Sequence, residues 1–206
     1  MATLSTEPPG LLADRSLYRL SLDLYHRMGE IGLLAPDDRV VLLDGLLVKK
    51  MTKRPHHSTA SRRGMKCLEA VIPRGWHVRI EQPISLTGGP EGADSEPEPD
   101  LAIVRGGDEM YIERHPAPAE IALLVEIADS SLAHDRAGLA RYAWAGIPCV
   151  WIVNLMARTI EVYSGPSGPA INPTYAQRSD HGLGEALTIV INGTHQGRAA
   201  VRDFLA

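Results

Sequence analysis

Helical and strand-like patterns of apolar residues alternate along the chain. Residues 16–32 carry apolar side chains at helical spacing, which predicts an amphipathic first helix beginning at Ser16. Residues 39–43 and 46–51 flank Asp44-Gly45, a dipeptide that supplies the positive φ angles of a tight turn, so a β-hairpin is expected. Helical spacing returns over residues 55–71. The N-terminal part therefore predicts a helix, a hairpin and a second helix.

Short apolar runs of strand length follow in the middle of the chain. The predicted strands are residues 76–80, 84–86, 101–104, 121–127, 149–153, 159–163 and 187–191. The runs at 101–104 and 121–127 are typical of central strands covered on both faces. A third helix is expected over 135–145, a long irregular segment over 165–184, and a short C-terminal element ending at Phe204-Leu205. This order predicts a mixed α/β fold, a mixed sheet flanked by helices.

Length and composition favour a single domain. A chain of 206 residues with 44% hydrophobic content can bury one sizeable core, so residues 1–206 are expected to form one domain. We expect residues 1–15 to form a poorly ordered extension. No secretory signal or membrane-length apolar run is apparent, which predicts a cytoplasmic protein without a membrane partner. The two cysteines, Cys67 and Cys149, are interpreted as reduced thiols.

Basic residues are concentrated in residues 49–79, although the formal net charge of the chain is −4. All four lysines of the protein lie there, and Glu69 is the only acid of the stretch. The pattern indicates a surface that contacts phosphates, and it is equally compatible with a solvated face of helix and strand. The candidate nucleic-acid-binding residues are Lys49, Lys50, Lys53, Arg54, His57, Arg62 and Arg63.

Two acids stand beside or within apolar strands. Asp100 immediately precedes the run 101–104, and Glu126 lies inside the run 121–127. Buried carboxylates are costly unless they are paired, and a divalent cation is a common partner. If the two strands are neighbours, Asp100, Glu126 and the carbonyl of Ile127 would hold Mg²⁺ or Mn²⁺. Such a metal polarises a phosphodiester and activates water, so hydrolysis would need no protein nucleophile.

Two other groups of residues have weaker support as reactive sites. Ser130, Ser131, His134 and Asp135 are close in sequence, but a glycine-flanked serine elbow is missing and helix capping explains them better. His56 and His57 precede the second helix beside basic residues, and they are interpreted either as exposed helix-entry residues or as contacts to substrate or metal. Hydrolysis of an acyl group by one of the serines is therefore a remote hypothesis.

A series of motifs in a fixed order resembles a known family. The motifs are Asp44-Gly45, Met51 with Pro55-His56-His57, Glu98-Pro99-Asp100, Val125-Glu126-Ile127, Asp129-Ser130-Ser131-Leu132, Asp135-Arg136, Tyr142-Ala143, Ala145-Gly146-Ile147-Pro148, Trp151-Ile152-Val153-Asn154 and Glu161-Val162-Tyr163. In this order they resemble the Uma-type family of putative restriction endonucleases, over most of the chain. That family is similar to the PD-(D/E)XK nuclease superfamily, which places a metal-binding Asp and Glu on adjacent strands of a mixed sheet. The resemblance implies a restriction-endonuclease-like fold in which Asp100 and Glu126 bind the metal.

The chain departs from the family pattern at its basic position. The superfamily places a lysine two positions after the glutamate, where this chain has Ala128, and the Uma-type family more often has one where this chain has Leu139. The catalytic cation is therefore expected to be one of the four lysines, reaching in from the hairpin or the second helix, or else one of the nearby arginines, of which Arg141 is favoured over Arg136. Arginine stabilises phosphorane charge but hardly orients or deprotonates water as lysine does. The family also tends to have acids at the hairpin, where this chain has hydrophobic residues.

The sequence leaves two functions open. The first is a magnesium-dependent DNA endonuclease, in which Asp100 and Glu126 hold the metal and the basic stretch follows the phosphates, with a homodimer as a further possibility. The second is a catalytically silent relative that keeps the fold and binds nucleic acid or a protein partner. The absent lysine favours the second hypothesis, whereas the presence of both acids favours the first.

Overall fold

The N-terminal part is a helix followed by a hairpin. In the computed structural model, which describes residues 17–205, helix α1 spans Leu22–Glu30, and strands β1 (Val40–Leu43) and β2 (Leu46–Lys49) form the expected hairpin. The helix begins later than predicted because Ser21 is its N-cap, whose hydroxyl accepts a hydrogen bond from the backbone of the first turn. The predicted start at Ser16 and the expected extension over residues 1–15 lie outside the described residues.

A six-stranded mixed sheet forms the centre of the molecule. Its strands are β3 (Trp76–Ile80), β4 (Leu101–Arg105), β5 (Ile121–Ala128), β6 (Cys149–Asn154), β7 (Thr159–Pro166) and β8 (Tyr175–His181), in this spatial order. Strands β5 and β6 are parallel, and the other neighbouring pairs are antiparallel. The parallel pair requires a crossover, which helix α3 (Leu132–Trp144) provides. The structure thus confirms the predicted mixed sheet flanked by helices.

Three elements differ from the sequence-based expectation. Strand β8 lies in the segment predicted to be irregular, and β9 (Ala186–Ile191) pairs with an unpredicted strand, β10 (Thr194–Ala200). Both missed strands are rich in polar residues, because most side chains of β8 are exposed at the sheet edge and β10 forms a separate two-stranded hairpin. The expected strand at 84–86 is wrong, since that segment contributes only an isolated bridge between Leu86 and Ser95.

Helices cover both faces of the sheet. Helix α2 (Pro55–Glu69), the short helix α4 (Val201–Phe204) and the β9–β10 hairpin cover one face, where the buried residues include Leu68, Leu101, Val125, Trp151, Ile189 and Phe204. Helix α3 covers the other face, where the buried residues include Ala102, Leu124, Ala128, Tyr142, Ala143 and Ile152. The alternation of the central strands therefore sends one side chain to α2 and the next to α3. Across residues 17–205, no helix has the length and apolar character needed to cross a membrane.

Candidate metal centre

Three acids form a row across the ends of neighbouring strands. Glu81 follows β3, Asp100 precedes β4, and Glu126 lies within β5. The backbone N–H of Glu81 donates to the carbonyl of Asp100 at 3.1 Å, and the N–H of Asp100 donates to Glu126 Oε2 at 3.4 Å. The row lies one position beyond the paired residues Ile80, Leu101 and Val125. Strand register therefore brings together Asp100 and Glu126, the two acids predicted from the sequence.

Asp100 is buried and surrounded by donors. Its carboxylate accepts hydrogen bonds from Lys53 Nζ at 2.8 Å, from His57 Nε2 at 3.0 Å and from the backbone N–H of Ile127 at 2.7 Å. Burial alone would raise the pKa of Asp100, but the hydrogen bond from His57 and the charge of Lys53 outweigh it and lower the pKa. Asp100 is therefore an ionised carboxylate at neutral pH.

Glu126 has the opposite electrostatic environment. Burial, and then the negative charge of Asp100, raise the pKa of Glu126 to about 8. The hydroxyl of Tyr142, from helix α3, donates to Glu126 Oε1 at 2.6 Å, which lowers the pKa but does not compensate for burial. Without a cation, Glu126 therefore keeps its proton near neutral pH, while Asp100 beside it is charged. A divalent cation between them would favour ionisation of both.

Lys53 places a positive charge between two of the acids. Its ammonium nitrogen lies 2.8 Å from Asp100 Oδ1 and 3.1 Å from Glu81 Oε1. Burial alone would lower the pKa of Lys53, but the charge and hydrogen bonding of Asp100 and Glu81 raise it. His57, Glu81 and Asp100 also present ligand atoms within 4.8 Å of one another, close enough to hold a metal ion. The side of Asp100 that faces Glu81 therefore also favours a positive charge.

Asp100 and Glu126 line one cavity of about 430 Å³, together with Ile127, Asp129 and Asp135. Basic residues at its rim are Lys49, Lys50, Lys53, Arg54 and Arg141. Asp129 Oδ2 is buried without a hydrogen-bond partner among the described residues, and the closest cation paired with it, Arg54, is 3.9 Å away. Carboxylates and an orphaned carboxylate oxygen form the hard oxygen donor set that Mg²⁺ and Mn²⁺ prefer. The residues present therefore fit such an ion.

Other predicted site residues have partners elsewhere. Arg136 donates to Glu161 Oε2 at 3.0 Å and does not line the cavity, so the structure does not bring its charge to the acids. Arg141 lines the cavity, but its guanidinium is bonded to the hairpin residue Asp44 at 2.6 Å. Arg63 donates to backbone carbonyls at α4, and Arg62 is exposed on α2 away from the cavity. Among the other predicted residues, His57, Arg54 and the lysines at 49, 50 and 53 line the cavity.

Sequence reasoning missed Glu81, Tyr142 and the ion pair between Asp44 and Arg141. Glu81 directly follows a predicted strand, so antiparallel pairing of that strand with residues 101–104 would have placed it opposite Asp100. Tyr142 lies seven residues beyond Asp135 on the predicted helix, which is a signal for the same helix face but not for a contact with Glu126. The pairing of the hairpin with α3 is a long-range contact for which the sequence offers no local signal.

A mixed sheet between helices, with acids converging at one end of its central strands, defines a nuclease-like fold. A crystal structure of a putative nuclease belonging to DUF820 from Anabaena variabilis has this fold, with a TM-score of 0.62. It shares 16% sequence identity with this chain, and the match covers 90% of this chain and 97% of that one. The profile of the Uma2 family, described as putative restriction endonuclease, matches residues 22–192, and the chain belongs to this family. No curated protein gives a significant match.

Proposed function

We propose that this protein is a metal-dependent endonuclease that hydrolyses phosphodiester bonds in DNA, with Asp100 and Glu126 as ligands of Mg²⁺ or Mn²⁺. The observation that carries the proposal is the position of these two carboxylates, side by side in strand register and lining one cavity with a basic rim. Membership of the Uma2 family and the nuclease-like fold support the same reaction class. The carbonyl of Ile127 is proposed as a third ligand, because this residue lines the cavity next to Glu126.

The surrounding side chains would prepare the two carboxylates for the ion. His57 and Lys53 keep Asp100 ionised, and Tyr142 holds one oxygen of Glu126 in place. Glu126 has to lose its proton before it can act as a ligand, so occupancy should increase with pH. The bound ion would supply Lewis-acid polarisation of the phosphodiester and a water of lowered pKa.

Lys53 is the proposed catalytic cation. It stands at Asp100, on the side facing β3, whereas the sequence gives Ala128 and Leu139 at the positions where relatives have lysine. An ammonium group beside the ionised acid can contact a phosphate oxygen and stabilise the charge that develops during attack. We assign this function to Lys53 because one of its ion pairs is with Asp100, a proposed metal ligand, whereas Arg141 and Arg136 pair with Asp44 and Glu161, which are not.

The basic rim is proposed to bind the DNA backbone. Lys49, Lys50 and Arg54 line the cavity, and their charges would neutralise phosphates on either side of the scissile bond.

Cleavage of both strands would be simplest for a homodimer, which presents two such centres. Sedimentation with and without a short duplex tests this, and a monomer that only nicks DNA would contradict the dimer.

Cleavage of supercoiled plasmid tests the proposed function. The wild type should nick plasmid with Mg²⁺ or Mn²⁺ and stop when a chelator is added, whereas Asp100→Ala and Glu126→Gln should lose activity by about 100-fold or more. In parallel, Mg²⁺ should raise the Tm of the wild type, and most of this increase should disappear in Glu126→Gln. Binding of metal and duplex without any cleavage would instead identify a catalytically silent relative. An equal Tm increase in wild type and Glu126→Gln would place the ion elsewhere.

A further inference from the structure

Three potential metal ligands meet on the side of Asp100 that faces strand β3. They are His57 in the first turn of α2, Glu81 directly after β3, and Asp100 directly before β4. One ligand atom of each lies within 4.8 Å of those of the other two. In the described part of the chain, this is the one group of three histidine, cysteine or acidic side chains that meets this distance. The group offers one nitrogen donor and two carboxylates.

The distances within this group suit a shared ion. His57 Nε2 lies 3.0 Å from Asp100 Oδ2, and the other ring nitrogen, Nδ1, lies 3.5 Å from Ser61 Oγ. Nε2 is therefore the nitrogen that faces the acids, and Ser61 helps to orient the ring. An ion bound at about 2.1 Å separates its ligand atoms by roughly 3–4 Å. The side chain of Glu81 is exposed, so it can close the remaining distance.

The backbone holds Glu81 beside Asp100. The N–H of Glu81 donates to the carbonyl of Asp100 at 3.1 Å. The φ angle of Glu81 is 52°, in the left-handed region that residues other than glycine seldom adopt. With this backbone, the carboxylates of Glu81 and Asp100 both reach the ammonium group of Lys53.

Lys53 shows that the two carboxylates share one position for positive charge. Its Nζ lies 2.8 Å from Asp100 Oδ1 and 3.1 Å from Glu81 Oε1. One ammonium group neutralises only one of the two negative charges, whereas a divalent ion neutralises both. Lys53 lies in the irregular segment between β2 and α2, and 33% of its side chain is exposed. The ammonium group can therefore move away when another cation binds.

We propose that His57, Glu81 and Asp100 bind a second divalent ion, of the transition-metal type, and that this ion exchanges with the ammonium group of Lys53. The imidazole favours a transition metal over Mg²⁺, which prefers an all-oxygen shell. Asp100 is shared with the proposed nuclease centre, and in this respect the inference rests on the proposed function. Exchange frees Lys53, which lines the cavity, to contact a phosphate oxygen. Occupancy of the second position thus regulates the proposed catalytic cation.

Electron paramagnetic resonance of bound Mn²⁺ tests the ligands. With Mg²⁺ in excess, pulsed spectra of the wild type should show hyperfine coupling of Mn²⁺ to an imidazole nitrogen. His57→Gln should remove the coupling, and Glu81→Gln should weaken the nitrogen-coupled binding by about tenfold or more. His134→Ala is the matched control and should keep the coupling, because His134 lines the cavity but does not belong to the group of three. Absence of nitrogen coupling in the wild type at saturating Mn²⁺ would overturn the proposal even if His57→Gln failed to fold.

Lys53→Met tests the exchange. Without the competing ammonium group, nitrogen-coupled Mn²⁺ should bind about fivefold more tightly or better, because every molecule is then competent to bind. Lys49→Met is the matched control, since it removes another lysine of the cavity rim. Its affinity for the nitrogen-coupled ion should stay close to that of the wild type. Equal tightening in both variants, or no tightening in Lys53→Met, would refute exchange at one shared position.

Glu126→Gln distinguishes this site from the proposed nuclease centre. The variant should lose most of the Mg²⁺-dependent increase in Tm but retain nitrogen-coupled Mn²⁺, and Glu81→Gln should show the reverse. If the wild type showed neither cleavage nor an effect of Mg²⁺ while Mn²⁺ stayed coupled to nitrogen, the proposed function would fail and the site at His57 would stand. Coupling that is lost in Glu126→Gln but kept in Glu81→Gln would contradict the site.

Discussion

Lys53 donates a hydrogen bond to Asp100 Oδ1 at 2.8 Å and brings the positive charge of the basic stretch directly to the central acid. It reaches Asp100 from the segment between β2 and α2, far in sequence from the strand that carries Glu126. At the position two residues after Glu126, Ala128 is buried in the core beneath α3. Of the two sources of a cation that the sequence left open, the lysines near the hairpin and the arginines of α3, it is a lysine that reaches Asp100.

We predict that Lys53→Met lowers the rate of plasmid nicking by about 100-fold, because a charged donor beside the reacting phosphate is lost. Lys53→Arg should retain part of the activity, since it keeps the charge but not the geometry of an ammonium. The matched control is Lys66→Met, which removes an exposed lysine on α2 and should leave the rate almost unchanged. Equal rates for Lys53→Met and wild type would exclude the proposed function of Lys53.

The central fold was predictable because its signals are local. The turn Asp44-Gly45 has the positive φ angles expected, at 50° and 74°, and the apolar runs became the buried strands β4, β5 and β6. Strand β8 was not predictable from apolar periodicity, because an edge strand exposes most of its side chains and is held by backbone pairing to β7. Its residues are placed by the sheet rather than by their own hydrophobic pattern.

In the candidate site, only the acids that stand beside or within apolar runs of the sequence were predictable. Asp100 and Glu126 stand out because acids seldom occur beside or within apolar strands. Glu81 and Lys53 lie in polar surroundings of the sequence, and only strand register and the entry to α2 bring them to Asp100. The partners of Arg136 and Arg141 are likewise long-range, so sequence proximity to Asp135 suggested a function that their ion pairs do not support.

Tyr142→Phe should lower stability slightly and shift the pH at which Mg²⁺ begins to stabilise the protein. The change removes the donor to Glu126 Oε1, so the free energy of unfolding should fall by about 1 kcal/mol. The pKa of Glu126 should rise further, and the Mg²⁺-dependent increase in Tm should then begin at a higher pH. The control is Tyr175→Phe, which removes a buried hydrogen bond to the carbonyl of Ile147 and no hydrogen bond to Asp100 or Glu126. If both variants shift the metal effect equally, the contact with Glu126 is not responsible.

Glu161 should make folding sensitive to acid. Burial alone would raise its pKa, but hydrogen bonds from Arg136 and Tyr163 outweigh burial, and the pKa of Glu161 is lowered. A lowered pKa in the folded state adds stability above the unfolded value of about 4.3, and this stability is lost as the pH falls through the folded pKa. The loss of stability in Glu161→Gln should therefore be large at pH 7 and shrink in acid.

Urea unfolding of the wild type and Glu161→Gln across this pH range measures the effect. Glu69→Gln, an exposed change on α2 without an ion pair in the described structure, should leave the pH profile of the wild type unaltered. A difference between wild type and Glu161→Gln that stays constant from pH 3 to pH 7, within about 0.5 kcal/mol, would contradict the linkage.

Replacing each of two helical glycines with alanine should change the free energy of unfolding in opposite directions. A Cβ at Gly64, in α2, would lie 2.8 Å from Phe204 Cδ1 and 2.9 Å from Leu101 Cδ1, which is closer than carbon atoms can approach. Leu101 and Phe204 are fully buried, so they cannot move away without disturbing the core. Gly64→Ala should therefore lower the free energy of unfolding by about 1–3 kcal/mol, despite the better helix propensity of alanine.

Gly29, in α1, is the matched control, because a Cβ there would have no described heavy atom within 4 Å. With free space and a helical backbone, Gly29→Ala should stabilise the protein by roughly 0.5–1 kcal/mol. Urea unfolding of both variants gives the two free energies, and an unchanged m-value would show that the unfolded state is not affected. If Gly64→Ala were as stabilising as Gly29→Ala, α2 could not pack against α4 and β4 as closely as the structure indicates. The basic residues beside the start of α2 would then be held less firmly at the metal centre than we propose.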